Sequence, residues 1–334
     1  MNVYKLLQLN RRIKNHRIKF LGLYLLHKLN KRYLAVNLDP VLACNLRCKM
    51  CYFTDVDYVK TLKGQFKEED LELVAKSIFN RALKLQLGCG TEPTLFKNLD
   101  RLVELGKMYN VPYISLTTNA NLLTEEKIEN LLKAGLNEFT ISLHGIYKES
   151  YEGFMQKGSY EKFHNAFKAF EKLKTTYNFK VRVNYTFNKD NFRELKDLFK
   201  HFSPKSFDIL QIRPIRKIGN TAYNDFDISS LSNDYQPLID SIRTTCKKHN
   251  IVLLAPQTIS ELSNENESSF VYDYTFCYVS PKAFWKEGFN WKEESFNDFS
   301  KKIGWSNTLF KNIFKSKAEL KSLSDRLNYE IEFN

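Results

Sequence analysis

Cys44, Cys48 and Cys51 stand at CxxxCxxC spacing within Asp39-Pro40-Val41-Leu42-Ala43-Cys44-Asn45-Leu46-Arg47-Cys48-Lys49-Met50-Cys51-Tyr52. A loop of this length can turn three thiolates toward one centre, and soft sulfur ligands suit zinc or an iron–sulfur cluster. Zinc usually takes four ligands, often as two spaced pairs, and no second CxxC or HxxxH is present. Three sulfurs without a local fourth fit a [4Fe–4S] cubane with one iron left open for another ligand. A structural disulfide fits less well. Six scattered cysteines in 334 residues, with no secretory leader read at the start, point to a reducing and hence cytoplasmic setting.

The elements that must hold this loop are legible in the apolar spacing. Strand-like runs fall at 33–38, 83–87, 112–117, 138–143, 180–187 and 207–213, and helical spacing fills the intervals. Examples are Leu71, Val74, Ala75, Ile78 and Phe79, then Phe163, Ala166, Phe167 and Phe170. Thr124 before Glu125-Glu126 reads as a helix N-cap and Gly135 as the C-terminal cap. Six βα units in series predict an α/β fold with a parallel sheet curled into all or part of a barrel. In such barrels ligands bind at the C-terminal ends of the strands. The cysteine loop lies at the first of these ends.

Outside the barrel core the composition changes. The net charge is +13, and nine positive residues precede the first acid, Asp39. Within residues 1–32, Ile18, Leu21, Leu25 and Leu29 share one helical face, predicting a basic amphipathic helix. Such a helix can rest on an anionic membrane surface as a peripheral contact, or pack its stripe on the barrel. Beyond about residue 215 the alternation fades. Tyr235 to His249 reads as a helix, Ile251 to Leu254 as a short strand that could extend the sheet, and Phe284 to Trp291 as an aromatic segment that either caps the barrel mouth or simply packs. The expected division is therefore a helical extension at 1–32, a barrel core at 33–215 and an α-rich extension at 216–334.

The stretch Cys44 to Tyr52 resembles the cluster loop of the radical S-adenosylmethionine (radical SAM) enzymes. Over about residues 33 to 215 the resemblance implies a partial (βα)6 TIM-like barrel, with a [4Fe–4S] cluster on Cys44, Cys48 and Cys51. In that family SAM chelates the fourth iron. Gly88-Cys89-Gly90-Thr91-Glu92-Pro93 resembles the GGEP motif, with Thr91 in place of a glycine, and implies SAM contacts from Gly88, Gly90, Thr91 and Glu92. Cys89 reads as a buried turn residue. Leu116 to Ala120 resembles the TTNG segment and implies contacts from Thr118 and Asn119, with alanine replacing the glycine.

Ile141 to Gly145 is similar to the SLDG segment and gives Ser142 a SAM-binding expectation. His144, in place of the acid, reads by itself as a satisfied loop histidine. Arg182 matches a basic residue that pairs with the SAM carboxylate, a role a guanidinium suits through bidentate bonding; an ion pair within the protein is the alternative. Gln211 and Arg213 are further candidates for ribose or substrate contact.

The activity implied is reductive cleavage of SAM to a 5′-deoxyadenosyl radical that abstracts hydrogen from a peptide or protein, with an electron donor such as flavodoxin or ferredoxin. Modification of a sugar or lipid precursor at a membrane is the second reading. A third is a non-enzymatic iron–sulfur electron carrier or regulatory RNA binder, although no nucleic-acid module is recognised and no nucleic-acid partner is expected. Cys246 and Cys277 are too few for an auxiliary cluster.

Overall fold

The computed structural model describes residues 13–215, 221, 228–256 and 270–324. The first twelve residues of the basic extension, and parts of the segment after 215, lie outside the described residues. Ahead of the sheet runs α1 (His16–Lys28). The strands are β1 (Leu34–Leu38), β2 (Ala82–Leu87), β3 (Ile114–Thr118), β4 (Glu138–Leu143), β5 (Lys180–Phe187), β6 (Ile209–Pro214), β7 (Val252–Leu254) and β8 (Phe276–Val279). They form one parallel sheet in the order β8-β1-β2-β3-β4-β5-β6-β7.

Helices α2 (Glu68–Ile78), α3 (Leu99–Met108), α4 (Glu125–Ala134), α5 (Tyr160–Leu173) and the short α6 (Leu198–His201) carry the first five crossovers. Helix α7 (Ser232–Lys248) carries the sixth, and α8 (Phe296–Lys302) and α9 (Trp305–Asn312) follow β8. Their ends obey local chemistry. At α4 the Thr124 hydroxyl accepts the Lys127 amide at 3.1 Å, and Gly135 closes the helix at φ +109°, where a side chain would be strained.

Strand alternation sorts the residues into two layers. Val36, Leu38, Leu85, Leu87, Phe139, Ile141, Leu143, Val181, Val183, Leu210 and Ile212 are buried in the apolar core. The alternate positions include Asn37, Lys84, Gln86, Ser115, Glu138, Thr140, Ser142, Arg182, Asn184 and Gln211, and they make the other face of the sheet polar. Their register runs level across the strands: Asn37 pairs with Gln86, Gln86 with Ser115, and Ser115 with Glu138. A sheet that buries charged residues on its concave side has room there for polar chemistry.

All six expected barrel strands are present, and two more extend the sheet. The short strand read at Ile251 to Leu254 adds to β6 as β7, while β8 pairs with β1 on the opposite edge. Rings of the aromatic segment pack on the flank of the sheet. Trp285 and Trp305 meet edge to face at 5.3 Å, and Trp305 Nε1 donates to the Tyr33 hydroxyl at 3.1 Å, just before β1 begins. Trp291 lies on Phe66 at 5.8 Å. These rings line the β8–β1 side of the sheet because β8 itself takes the chain to that edge.

Candidate functional site

β1 delivers the chain to Asp39, which is fully buried and organises the mouth. Its carboxylate accepts the Cys89 amide at 2.7 Å, the Gly90 amide at 3.0 Å and the Tyr278 hydroxyl at 2.9 Å. Burial raises its pKa, and these donors oppose the rise. The turn after β2 is thus tied to β1 and β8 together. Gly88 takes φ +83°, and a Cβ there would meet the Thr117 carbonyl at 2.5 Å; a Cβ on Gly90 would meet the Tyr52 hydroxyl at 2.6 Å. Backbone conformation and the close Thr117 carbonyl make glycine necessary at position 88, whereas at position 90 it is the Tyr52 side chain that leaves no room for a Cβ. The Tyr52 hydroxyl donates to the Gly90 carbonyl.

Glu92 ties the same turn to β3. The side chain is 2 % exposed and accepts from the Thr94 amide at 3.1 Å, the Thr118 hydroxyl at 2.7 Å and the Asn119 amide at 2.8 Å. Its own amide donates to the Ala43 carbonyl at 2.9 Å, beside the cysteine loop. Burial raises the Glu92 pKa, and the donors from Asn119, Thr94 and Thr118 oppose the rise. Asn119 Nδ2 donates to Asn45 Oδ1 at 2.8 Å and lies 3.9 Å from Cys44 Sγ. Ala120 stands at φ +63°, the left-handed conformation a glycine would take without strain.

The cysteine loop is held from both sides. Arg47–Cys48 pairs antiparallel with Met155–Gln156, and the Lys49 amide donates to the Phe154 carbonyl at 3.0 Å. Arg47 folds back on the Cys44 and Leu46 carbonyls at 2.8 and 2.7 Å. Burial pushes the Cys44 thiol up to about 12 and raises Cys48 and Cys51 as well; Cys48 also feels the charges of Cys51 and Cys44. Thiols so placed become thiolates when a metal supplies positive charge.

The donor set fits an iron–sulfur cluster. Cys44 Sγ accepts the Leu46 amide at 3.4 Å, the Phe53 amide serves Cys51, and Asn119 supplies a side-chain amide; hydrogen bonds to sulfur are a usual means of tuning such clusters. Among the described residues no three His, Cys, Asp or Glu side chains surround a point suited to a single ion.

The remaining predicted residues divide. Thr91 lies beside the Asp39 carboxylate. Ser142 is half-buried on the polar face, level with Asn184. Arg182 sits two residues earlier on β5. Its guanidinium pairs with Glu138 at 3.0 Å and donates to Gln211 at 3.2 Å. The side chains of Glu92, Thr118, Asn119 and Arg182 are therefore engaged within the protein. Cys89, read as buried, is exposed at the mouth. The surrounding walls and Asp39 nevertheless push its thiol up to about 12.

His144 is 4 % exposed, its Nδ1 has no hydrogen-bond partner, and burial with Arg213 nearby lowers its pKa to about 3. Hydrogen bonds to the backbone of Thr186 and Leu143 oppose that fall. Sequence reasoning missed Tyr278, which lies in a stretch without clean strand alternation, and gave no role to Asp39, the first residue after β1.

Fold and site together define a barrel-type protein whose strand ends carry a three-thiol loop suited to a soft metal cluster. Residues 39–202 match the model of the Radical SAM superfamily. These residues carry the Radical SAM domain. Members of the family are enzymes that use a [4Fe–4S] cluster and SAM.

The chain is 29% identical over 203 residues to a GTP 3′,8-cyclase of Clostridium botulinum, covering 59% of this chain and 61% of the relative. It is 27% identical over 218 residues to a cysteine-type anaerobic sulfatase-maturating enzyme of Clostridium novyi, covering 60% and 55%. The match thus spans about three fifths of the cyclase's length. Among solved structures, Streptococcus suis SuiB bound to its precursor peptide SuiA superposes with a TM-score of 0.57 at 18% identity, over 89% of this chain and 70% of that one. This likeness extends the shared fold beyond the matched domain.

Proposed function

We propose that this protein is a radical SAM enzyme acting on a peptide or protein, with Cys44, Cys48 and Cys51 as the cluster ligands. The observation that carries the proposal is the three-thiol loop at the end of β1, with amide donors on its sulfurs. When bound, cluster and SAM supply one-electron cleavage of the SAM S–C bond to methionine and a 5′-deoxyadenosyl radical, which takes a hydrogen atom from the substrate. An electron donor of the flavodoxin or ferredoxin class provides the electron. The chain's own residues orient and enclose. Asp39 and Tyr52 fix the Gly88–Thr91 turn, whose backbone faces the SAM amino-acid end, and Ser142 offers its hydroxyl from the polar wall. Glu92, Thr118 and Asn119 act through loop geometry, and Arg182 through Glu138.

The peptide reading draws support from the sulfatase-maturating relative and from the SuiB fold likeness. The cyclase relative favours a second reading, a small-molecule substrate. Anaerobic reconstitution of the full chain should give about four irons, one cubane. With reductant it should release 5′-deoxyadenosine from SAM, and alanine at any of the three cysteines should abolish both. Iron retained in those variants would overturn the ligand assignment. Stimulation of SAM cleavage by a peptide pool, and not by nucleotides, separates the two substrate classes.

A further inference from the structure

Helix α1 is apolar on two opposite sides. Successive helical residues turn by about 100°, so His16, Phe20, Leu23 and His27 share one side. That side faces the protein. Phe20 packs on Tyr274 at 5.4 Å, His16 Nε2 donates to the Lys315 carbonyl at 3.0 Å, and His27 Nδ1 lies 3.0 Å from the Tyr33 hydroxyl. The stripe formed by Ile18, Leu21 and Leu25, continued by Leu29 at the cap, points the other way. These residues are 54%, 45%, 49% and 65% exposed. Packing on the barrel therefore accounts for the first face and leaves the second without a partner among the described residues.

The outward stripe does not end with α1. Tyr24 contacts Phe310 of α9 at 5.3 Å, and Phe310 contacts Phe314 at 5.4 Å; both phenylalanines are exposed. Arg17, Lys28, Lys31 and Lys311, all exposed, lie next to these apolar residues in sequence. No acid occurs in the sequence from residue 13 to Leu38, or from Phe299 to Ala318. Large aliphatic and aromatic side chains rimmed by cations of one sign match an anionic bilayer surface, where the apolar groups enter the headgroup boundary and the cations meet phosphates. A second copy of this chain would bring Arg17 and Lys28 against their own like charges. Among the described residues no helix is long and apolar enough to cross a membrane, so the contact is peripheral.

We propose that the face formed by Ile18, Leu21, Leu25 and Leu29 of α1 with Phe310 and Phe314 docks on an anionic lipid surface. The test is co-sedimentation of the full chain with vesicles of phosphatidylcholine containing phosphatidylglycerol, beside vesicles of phosphatidylcholine alone. Binding should require phosphatidylglycerol and weaken as salt rises.

Arg17→Glu with Lys28→Glu should reduce binding at least about 25-fold, at about fivefold for each cation removed. Leu21→Glu with Leu25→Glu should abolish it while leaving the melting temperature and circular dichroism unchanged, since both side chains face outward. The proposal is overturned if the parent chain does not sediment with the anionic vesicles at low salt, or if the leucine variant sediments like the parent. A dimer broken by Leu21→Glu, with no vesicle binding, would overturn it in favour of self-association. Vesicle binding is read without cluster or SAM, so it is independent of the enzymatic assignment.

Discussion

Arg182→Ala tests whether the β5 arginine serves the fold or the cofactor. Glu138 is fully buried and holds Arg182 at 3.0 Å, with the Tyr113 and Thr140 hydroxyls as its other donors at 2.5 and 3.0 Å. Removing one member of a buried pair leaves the other charge desolvated, at a cost of about 3–5 kcal/mol. At about 2 °C per kcal/mol, the low end appropriate to a large domain, the melting midpoint should fall by roughly 6–10 °C. Calorimetry on the cluster-loaded protein measures this. SAM affinity, determined well below the new midpoint, should then change by less than about threefold, because the guanidinium is committed to Glu138. Glu138→Gln in an Arg182→Met background should recover much of the loss, since an apolar or neutral replacement of both partners avoids the stranded charge. An unaltered midpoint with SAM affinity weakened tenfold or more would refute the reasoning and make Arg182 a SAM ligand.

Lys84 should leave a mark on the pH dependence of stability. Burial lowers its pKa from 10.5 to about 8, with Glu138 opposing and Arg182 reinforcing the shift. The unfolded chain keeps that proton up to about 10.5 whereas the folded chain gives it up near 8, so the Lys84 contribution should rise with pH through this window; urea titrations of Lys84→Met should lose that rise. Gly88→Ala should destabilise by more than about 1 kcal/mol, because φ is +83° and the Thr117 carbonyl blocks the Cβ, whereas Ala120→Gly should be neutral or stabilising by up to about 1 kcal/mol at its φ of +63°. Alanine at the buried Cys246 or Cys277 should leave the iron content unchanged while lowering the melting point through lost packing, which iron analysis beside calorimetry will register.

The sequence was informative where side-chain period and local chemistry coincide. β4 alternates Phe139, Ile141 and Leu143 against Glu138, Thr140 and Ser142, so its limits were legible to the residue. β8 is only Phe276-Cys277-Tyr278-Val279, with no clean apolar–polar alternation, and nothing local distinguishes it from a packed loop. Arg182 was readable as a basic residue on an inner strand. Its partner was not, because Glu138 reaches it only through the β4–β5 register that places Thr140 opposite Arg182. Periodicity likewise revealed the α1 stripe without its direction. A moment marks an apolar face, but only the position of α9 and Tyr274 shows that the opposite face, with Phe20 and Leu23, is the one that packs.

The same reasoning makes the C-terminal segment part of the site rather than an appendage. Asp39 is buried, so its carboxylate must be satisfied by nearby donors. Two are amides of the Gly88–Gly90 turn, and another is the hydroxyl of Tyr278, carried in by β8. Pairing of β8 with β1 places Tyr278 opposite Asn37, two residues before Asp39, within reach of the carboxylate. The turn that Asp39 holds is also fastened by Tyr52 from the cysteine loop, while Glu92 links it to Thr118 and Asn119. Loss of β8 would therefore remove a donor from a buried carboxylate and open the sheet edge beside it, loosening the turn against which the three thiols are set.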